Sequence, residues 1–139
     1  MSDANKQLAR RALEFWSSDN DDDVALVFAD SYVNHQEPSI EGDVKDLDLG
    51  GWKTLVSGYH AAFSESRVRV IMQIAEDDLV ATRWEFSARH TGDYAGHGPT
   101  GRTAVWTGID IDRVADGRIV ESWVDWDKYR LLETLGLLP

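Results

Sequence analysis

The chain has 139 residues, of which 42% are hydrophobic, and it contains six Trp and no Cys. This length and composition fit a globular domain with a core and exclude a disordered or fibrous chain, while the lack of Cys excludes disulfides, thiolate metal sites and a Cys nucleophile. Fourteen basic against 25 acidic residues give a formal charge of −11, which argues against binding to nucleic acid or to an anionic membrane, since both require a basic surface.

Organisation along the chain indicates one domain over residues 1–139. No apolar run approaches the roughly 20 residues of a membrane-spanning helix, and no repeat or Pro-rich linker is present. The N-terminus leads into a charged segment without the apolar stretch of a secretory signal, so we expect a cytoplasmic protein.

The N-terminal half has the residue spacing of helices. Apolar residues recur at helical intervals over residues 4–17, which predicts a first helix. A short second helix is predicted over 24–28, and the polar segment 36–49 is interpreted as a loop. The apolar positions of 52–63 fall at i, i+3, i+4, i+7 and i+11, which predicts a third, amphipathic helix.

From Arg67 onward the apolar spacing changes to two, the period of a β-strand. Four strands are predicted, over about 67–74, 79–90, 103–113 and 118–127. In the first of them, one face is predicted to carry Val68, Val70, Met72 and Ile74. A glycine-rich connection spans 91–101, an Asp-Gly turn lies at 115–117, and a short helix over 129–135 ends at Gly136, a plausible C′ residue.

Helices followed by an antiparallel meander predict an α+β fold, in which a curved sheet wraps around the N-terminal helices. The concavity between the two layers is where a small ligand would bind.

The clearest candidates for chemistry are Asp125 and Asp127, which lie among Trp residues at the end of the last predicted strand. A carboxyl group among indole rings is poorly solvated, so its pKa rises toward the range useful for acid–base catalysis. Neighbouring residues on a strand face opposite sides, so either Val124 or Asp125 faces the concavity. We predict that Asp125 does, through a bulge at the strand end, and that Asp127 is only the N-cap of the last helix.

A second carboxylate pair, Asp110 and Asp112, shares one face of the third predicted strand with Trp106. Two interpretations remain open: Asp110 is a pocket carboxylate if that face lines the concavity, and both are solvated surface groups if it does not.

None of the four His forms the spacing of a metal site, and no phosphate-binding motif is present, so we expect neither a metal nor an organic cofactor. His35 lies at a helix-to-loop junction, where polar groups often point into a cavity. His90 ends the second predicted strand and is either a pocket residue or a structural His. Arg83 and Glu85 flank Trp84, most simply as an exposed ion pair around a buried indole.

Several motifs occur in a familiar order. They are Tyr32–His35, Arg83-Trp84, His90–Gly92, Pro99–Arg102, Gly108–Ile111, Asp116–Trp123, Asp127 and the terminal Leu131–Gly136. With these motifs the chain resembles the SnoaL-like polyketide cyclases of the NTF2-like superfamily. The resemblance implies a helix-filled cone of curved sheet, a homodimer formed through the outer face of that sheet, and ring closure of a polyketide by intramolecular aldol condensation without metal or cofactor.

The resemblance also implies a catalytic set. In the family an Asp on the last strand acts as acid and base, assisted by an Asn after the second helix and a His on the third strand. Asn34 matches the Asn, Asp110 stands at the position of the His, and Val124 stands at the position of the Asp, directly before Asp125.

The mechanism expected from these residues starts with Asp125 removing a proton from carbon next to a carbonyl. Asn34, with a protonated His35 or His90, then hydrogen-bonds the developing oxyanion.

A small, largely apolar or aromatic organic substrate is expected. Trp84 and Trp106 would stack on it, with further contacts from Arg83 and His90. Three alternatives stay open. Trp123 and Asp125, together with Arg83 and Glu85, also resemble the limonene-epoxide hydrolases of the same superfamily. The others are a polyketide hydroxylase-type activity and a module that only binds a ligand.

Overall fold

The computed structural model describes residues 2–18, 22–37 and 46–138. Within them lie four helices: α1 Ser2–Glu14, α2 Val24–Val27, α3 Leu49–Ala62 and α4 Lys128–Leu135. Six strands accompany them: β1 Phe28–Glu37, β2 Asp46–Asp48, β3 Phe63–Glu76, β4 Leu79–His90, β5 Thr103–Ala115 and β6 Arg118–Trp126. No helix of the described residues is long and apolar enough to cross a bilayer.

The strands form one curved sheet in the order β2-β1-β6-β5-β4-β3. All neighbouring strands are antiparallel except β1 and β6, which run parallel. Helix α1 packs against β3 and β4, α3 packs against β1 and β3, and α4 packs against β5. The predicted α+β class is confirmed, and the bounds of β4, β5 and β6 agree with the prediction to within two residues.

Strand β1 was not predicted. Phe28, expected to end the second helix, already has extended backbone angles (φ −110°, ψ 141°), and the strand continues to Glu37. Its inward positions carry the polar residues Asn34 and Gln36, which hide the apolar alternation. Its partner β6 lies far away in sequence, so no hairpin turn signals the pairing. The loop predicted over 36–49 was wrong where the structure describes it, because residues 36–37 belong to β1, 46–48 form β2 and 49 begins α3. Residues 38–45 lie outside the described residues.

In the second half of β3, the prediction that Met72 and Ile74 share a face with Val68 and Val70 was wrong. The register steps from Val70 opposite Trp84 to Met72 opposite Arg83, which leaves Ile71 as an extra residue in a β-bulge. The bulge exchanges the two faces, so Met72 and Ile74 are 52% and 66% exposed.

The C-terminal helix is capped as predicted. The Asp127 carboxylate accepts a hydrogen bond from the Arg130 backbone N–H at 2.8 Å. Gly136 ends the helix in the left-handed region with φ 73°, a conformation that favours glycine.

The core consists of two clusters on the inner face of the sheet. One joins Phe28, Trp52 and Ile119 with residues of α1 and α2, and the other contains Trp84 and Trp106 with residues of α4. The half-buried Trp16 side chain packs against both clusters.

Candidate functional site

A cavity of about 910 Å³ opens between the inner face of the sheet and α3. Five of the six Trp line it, namely Trp16, Trp52, Trp84, Trp106 and Trp126. Among the lining residues that the structure describes, the acidic side chains are Asp93, Asp110 and Asp112, and none is Lys, Arg or His. The cavity therefore suits a flat, apolar ligand without negative charge.

Asp110 and Asp112 both face this cavity, because they stand two residues apart on β5. Asp112 is 3% exposed and its Oδ1 accepts a hydrogen bond from the Ser122 hydroxyl at 2.5 Å. Asp110 is half-buried, and its Oδ1 accepts a hydrogen bond from the Trp84 indole N–H at 2.9 Å.

Burial makes these two carboxyl groups weak acids. It raises the pKa of Asp110 to about 6, against the smaller opposing effect of the Trp84 hydrogen bond. Burial also raises the pKa of Asp112 well above its ordinary value, the negative charge of Asp110 raises it further, and the Ser122 hydrogen bond opposes both. Because the negative charge of one carboxylate opposes ionisation of the other, the pair favours a state with one proton, and such a state contains both a base and an acid.

A chain of hydrogen bonds leads to Asp112 along the cavity wall. Gln36 Nε2 donates to Asn34 Oδ1 at 2.5 Å, and Asn34 Nδ2 donates to the Tyr32 hydroxyl at 2.7 Å. The Tyr32 hydroxyl also bonds Ser122, and because Ser122 gives its own proton to Asp112, the Tyr32 proton points to Ser122. Burial, followed by the charge of Asp112, raises the pKa of Tyr32, which keeps its hydroxyl protonated.

Gly108 permits the contact between Trp84 and Asp110. It stands opposite Trp84 across β4 and β5, and a Cβ at this position would lie 2.3 Å from Trp84 Cζ2 and 2.8 Å from the Asp125 carbonyl oxygen. Only glycine lets the indole lie across the strand and reach the carboxylate.

Asp125 does not face the cavity, so that prediction was wrong. Its side chain is exposed on the outer face, and Val124 lines the cavity instead. Asp110 pairs with Val124 and Ile109 pairs with Asp125 in regular register, and the bulge of this strand pair lies at Arg113/Val114 near the hairpin. Without a bulge at the strand end, the regular alternation of side chains along β6 turns Asp125 outward.

His35 also lies outside the cavity, contrary to the prediction. As a β1 residue between two inward side chains, it faces outward. Its Nδ1 lies 2.8 Å from an Asp46 carboxylate oxygen and its Nε2 lies 2.7 Å from one of Glu121. Its ring stacks on Trp123 at 5.5 Å, so it joins β2 to β6 on the outer face.

Arg83 was predicted to contact the substrate, but it is exposed on the outer face because its neighbour Trp84 faces inward. The expected pair with Glu85 is replaced by Arg69, whose Nη2 lies 3.4 Å from the Glu85 carboxylate.

His90 is fully buried but does not line the cavity. Its Nδ1 accepts a hydrogen bond from the Thr100 backbone N–H at 3.1 Å, and its ring packs on Phe63 at 5.5 Å. It holds the base of the glycine-rich connection, which makes it the structural His of the two interpretations.

Of the remaining predicted site residues, Asn34, Asp110, Trp84 and Trp106 all line the cavity. Tyr32, Gln36 and Ser122 were missed. Once β1 is recognised as a strand, the alternation of Tyr32, Asn34 and Gln36 places Tyr32 and Gln36 on the same face as Asn34.

The structure thus combines an α+β fold, built on one curved sheet, with an aromatic cavity that contains two carboxyl groups, one buried and one half-buried. The family model of the SnoaL-like polyketide cyclases matches residues 6–135. The chain belongs to this family, and its fold is NTF2-like. Among curated proteins, no sequence matches the chain.

Solved structures support the same assignment. AclR, a proposed hydroxylase from Streptomyces galilaeus, is 26% identical with a TM-score of 0.86, covering 100% of this chain and 89% of its own. IdmH, a proposed polyketide cyclase from Streptomyces antibioticus, is 29% identical with a TM-score of 0.84, covering 95% of this chain and 98% of its own. A proposed SnoaL-like polyketide cyclase from Jannaschia sp. CCS1, 16% identical with a TM-score of 0.81 over 99% and 95% of the two chains, shares the fold.

Proposed function

We propose that the protein is a polyketide cyclase-type enzyme in which Asp110 and Asp112 perform acid–base chemistry on an uncharged aromatic carbonyl compound. The observation that carries this proposal is the carboxyl pair, with Asp112 buried and Asp110 half-buried, that faces an aromatic cavity. Two neighbouring carboxyl groups with raised pKa values are a common arrangement for proton transfer near neutral pH.

The proposed reaction is an intramolecular aldol addition, the ring-closing step of an aldol condensation. Ionised Asp110 removes a proton from carbon next to a carbonyl, and the electron pair of the C–H bond forms an enolate. The enolate carbon attacks a second carbonyl carbon of the same molecule and forms the new C–C bond. Protonated Asp112 gives its proton to the resulting alkoxide, and the proton held by Asp110 then passes to Asp112, which restores the pair.

Asn34 is the proposed donor to the enolate oxygen. One hydrogen of its Nδ2 is bound to Tyr32, and the second is available to a ligand. An N–H aimed at developing negative charge stabilises the transition state more than the ground state. The neighbouring Trp84 and Trp106 rings would stack on the substrate and exclude water.

The alternatives differ in their support. The residues that suggested epoxide hydrolysis, Arg83, Glu85 and Asp125, lie on the outer face, away from the cavity. A hydroxylase-type activity is the second candidate, because AclR, a proposed hydroxylase, is similar over the whole chain.

The test compares Asp110→Asn and Asp112→Asn with the parent on an anthraquinone keto-ester, with product quantified by chromatography and mass spectrometry. Each change keeps the shape and removes a titrating proton, so kcat should fall about 100-fold or more. Asp125→Asn is the matched control, because the same change on the outer face should leave turnover intact.

Full turnover by Asp110→Asn would refute the proposed base. If the parent converts a cyclic epoxide but not the keto-ester, the result would favour an epoxide hydrolase. If it binds ligands but converts none, the result would favour a binding module.

A further inference from the structure

We propose that Gln36 determines the ligand specificity of the cavity by recognising a hydroxyl group of the substrate. Gln36 lines the cavity wall on β1 and is 5% exposed, yet the aldol mechanism makes no use of it. The inference rests on the proposed function only in taking the cavity as the ligand site.

The orientation of the Gln36 amide follows from its neighbour. Its Nε2 donates to Asn34 Oδ1, whose own Nδ2 donates onward to Tyr32. Turning the Gln36 amide over would bring its Oε1 against Asn34 Oδ1, and two acceptors repel each other. The amide is therefore held with Oε1 directed away from Asn34.

Oε1 of Gln36 has no hydrogen-bond partner among the residues that the structure describes. In this part of the chain, protein atoms do not fully enclose Oε1. Because Gln36 lines the cavity, a ligand in the cavity can reach this oxygen. A carbonyl oxygen in a side chain this deeply buried calls for a donor.

The second N–H of Gln36 is available beside this acceptor, since its Nε2 makes one hydrogen bond, to Asn34. A single hydroxyl group satisfies the arrangement, because it donates to Oε1 and accepts from an N–H at the same time. An ether or an alkyl group at that position leaves Oε1 unpaired.

The distance from the reacting centre defines the ligand further. Gln36 pairs with Val124 across β1 and β6, and Val124 pairs with Asp110 across β6 and β5. Two strand spacings separate Gln36 from Asp110, roughly 10 Å. The ligand is thus an extended, flat molecule that passes over the apolar Val124 side chain, with its hydroxyl at the β1 end.

Two matched probes test the proposal: an anthraquinone with a hydroxymethyl substituent, and one with an ethyl substituent at the same ring position. The two differ by one hydroxyl in place of one methyl, and binding is measured through quenching of Trp fluorescence. The parent should bind the hydroxymethyl compound more tightly. Gln36→Met keeps the length of the side chain and removes both polar atoms, so the ratio of the two dissociation constants should move about tenfold toward the ethyl compound.

Thr54→Val is the control, because it removes another cavity-lining polar group, one whose hydroxyl bonds the Gly50 carbonyl. It should leave the ratio unchanged. An unchanged ratio in Gln36→Met would overturn the proposal. If Gln36→Met does not fold, the parent protein alone provides the test. The proposal is overturned if the parent binds the ethyl compound as tightly as the hydroxymethyl compound, or if it binds neither.

Because the readout is equilibrium binding, it separates this inference from the aldol mechanism. A shifted ratio together with full turnover by Asp110→Asn would leave Gln36 as the recognition residue and remove Asp110 as the base.

Discussion

The positions of Asp110 and Asp112 lower the free energy of unfolding. Both carboxyl groups lie between the sheet and a wall of aromatic rings, where the ionised form loses hydration. A rise of the Asp110 pKa from 3.8 to about 6 corresponds to about 3 kcal/mol of lost stability once the group is ionised. Such a cost is commonly retained where function requires it.

This cost predicts how stability depends on pH. The folded state binds the Asp110 proton more tightly than the unfolded chain, so this stabilisation is complete below about pH 4 and is lost as pH rises through about 6. Asp110→Asn cannot titrate. Its unfolding free energy, measured by urea denaturation, should therefore gain about 3 kcal/mol relative to the parent between about pH 4 and pH 7.5.

Asp125→Asn serves as the control for this measurement, because it removes a carboxylate exposed on the outer face. Its stability should follow that of the parent at every pH. A parent and an Asp110→Asn variant with parallel pH curves would show that Asp110 is not destabilised by burial.

Among the secondary-structure elements, the antiparallel part of the sheet could be predicted because its information is local. Strands β4 and β5 alternate apolar and polar residues, and an Asp-Gly turn joins β5 to β6. Strand β1 could not be predicted in this way, because its partner β6 lies about 90 residues away in sequence and its inward side chains are polar. The bulge at Ile71 likewise depends on pairing with β4 and leaves no pattern in the sequence.

The same limits explain what was predicted of the site. That Asp110 and Asp112 share a face follows from period two alone, but whether this face is the inner one depends on the helices that cover the sheet. Asp125 was predicted to be the catalytic carboxylate from its Trp neighbours, yet a regular register turns it outward.

Helix α4 offers a test at the level of the element. Asp127 accepts a hydrogen bond from the Arg130 N–H, and α4 packs Leu131 and Leu135 into the core. Asp127→Ala should lower the unfolding free energy by about 1 kcal/mol, whereas Asp127→Asn should stay close to the parent because Asn caps almost as well. Thermal unfolding of the three proteins measures this, and equal losses in both variants would contradict the capping role.

At the scale of the whole molecule, the outer face of the sheet exposes large apolar side chains, although the chain carries a formal charge of −11. Ile109, Ile111 and Trp123 are 45%, 39% and 39% exposed. In register across three strands, Ile109 stands between Arg83 and Asp125.

We therefore predict a homodimer formed through this face. Light scattering at micromolar concentration should give about twice the chain mass of 15.6 kDa. Ile111→Lys places a charge in the apolar row and should yield monomers, whereas Leu26→Lys, at an exposed apolar residue of α2, should leave the dimer intact. A parent mass near 15.6 kDa would contradict this prediction.

The claim that an aromatic cavity holds a reactive carboxyl pair can be tested without knowing the substrate. ¹³C NMR titration of the Asp carboxyl carbons should show the Asp110 carboxyl titrating near pH 6, and this resonance is identified by its loss in Asp110→Asn and its retention in Asp125→Asn. Trp84→Phe removes the indole donor to Asp110 and should move this titration upward by about one pH unit. Titration of every Asp of the parent below about pH 5, or loss of the signal near pH 6 in Asp125→Asn, would contradict the account.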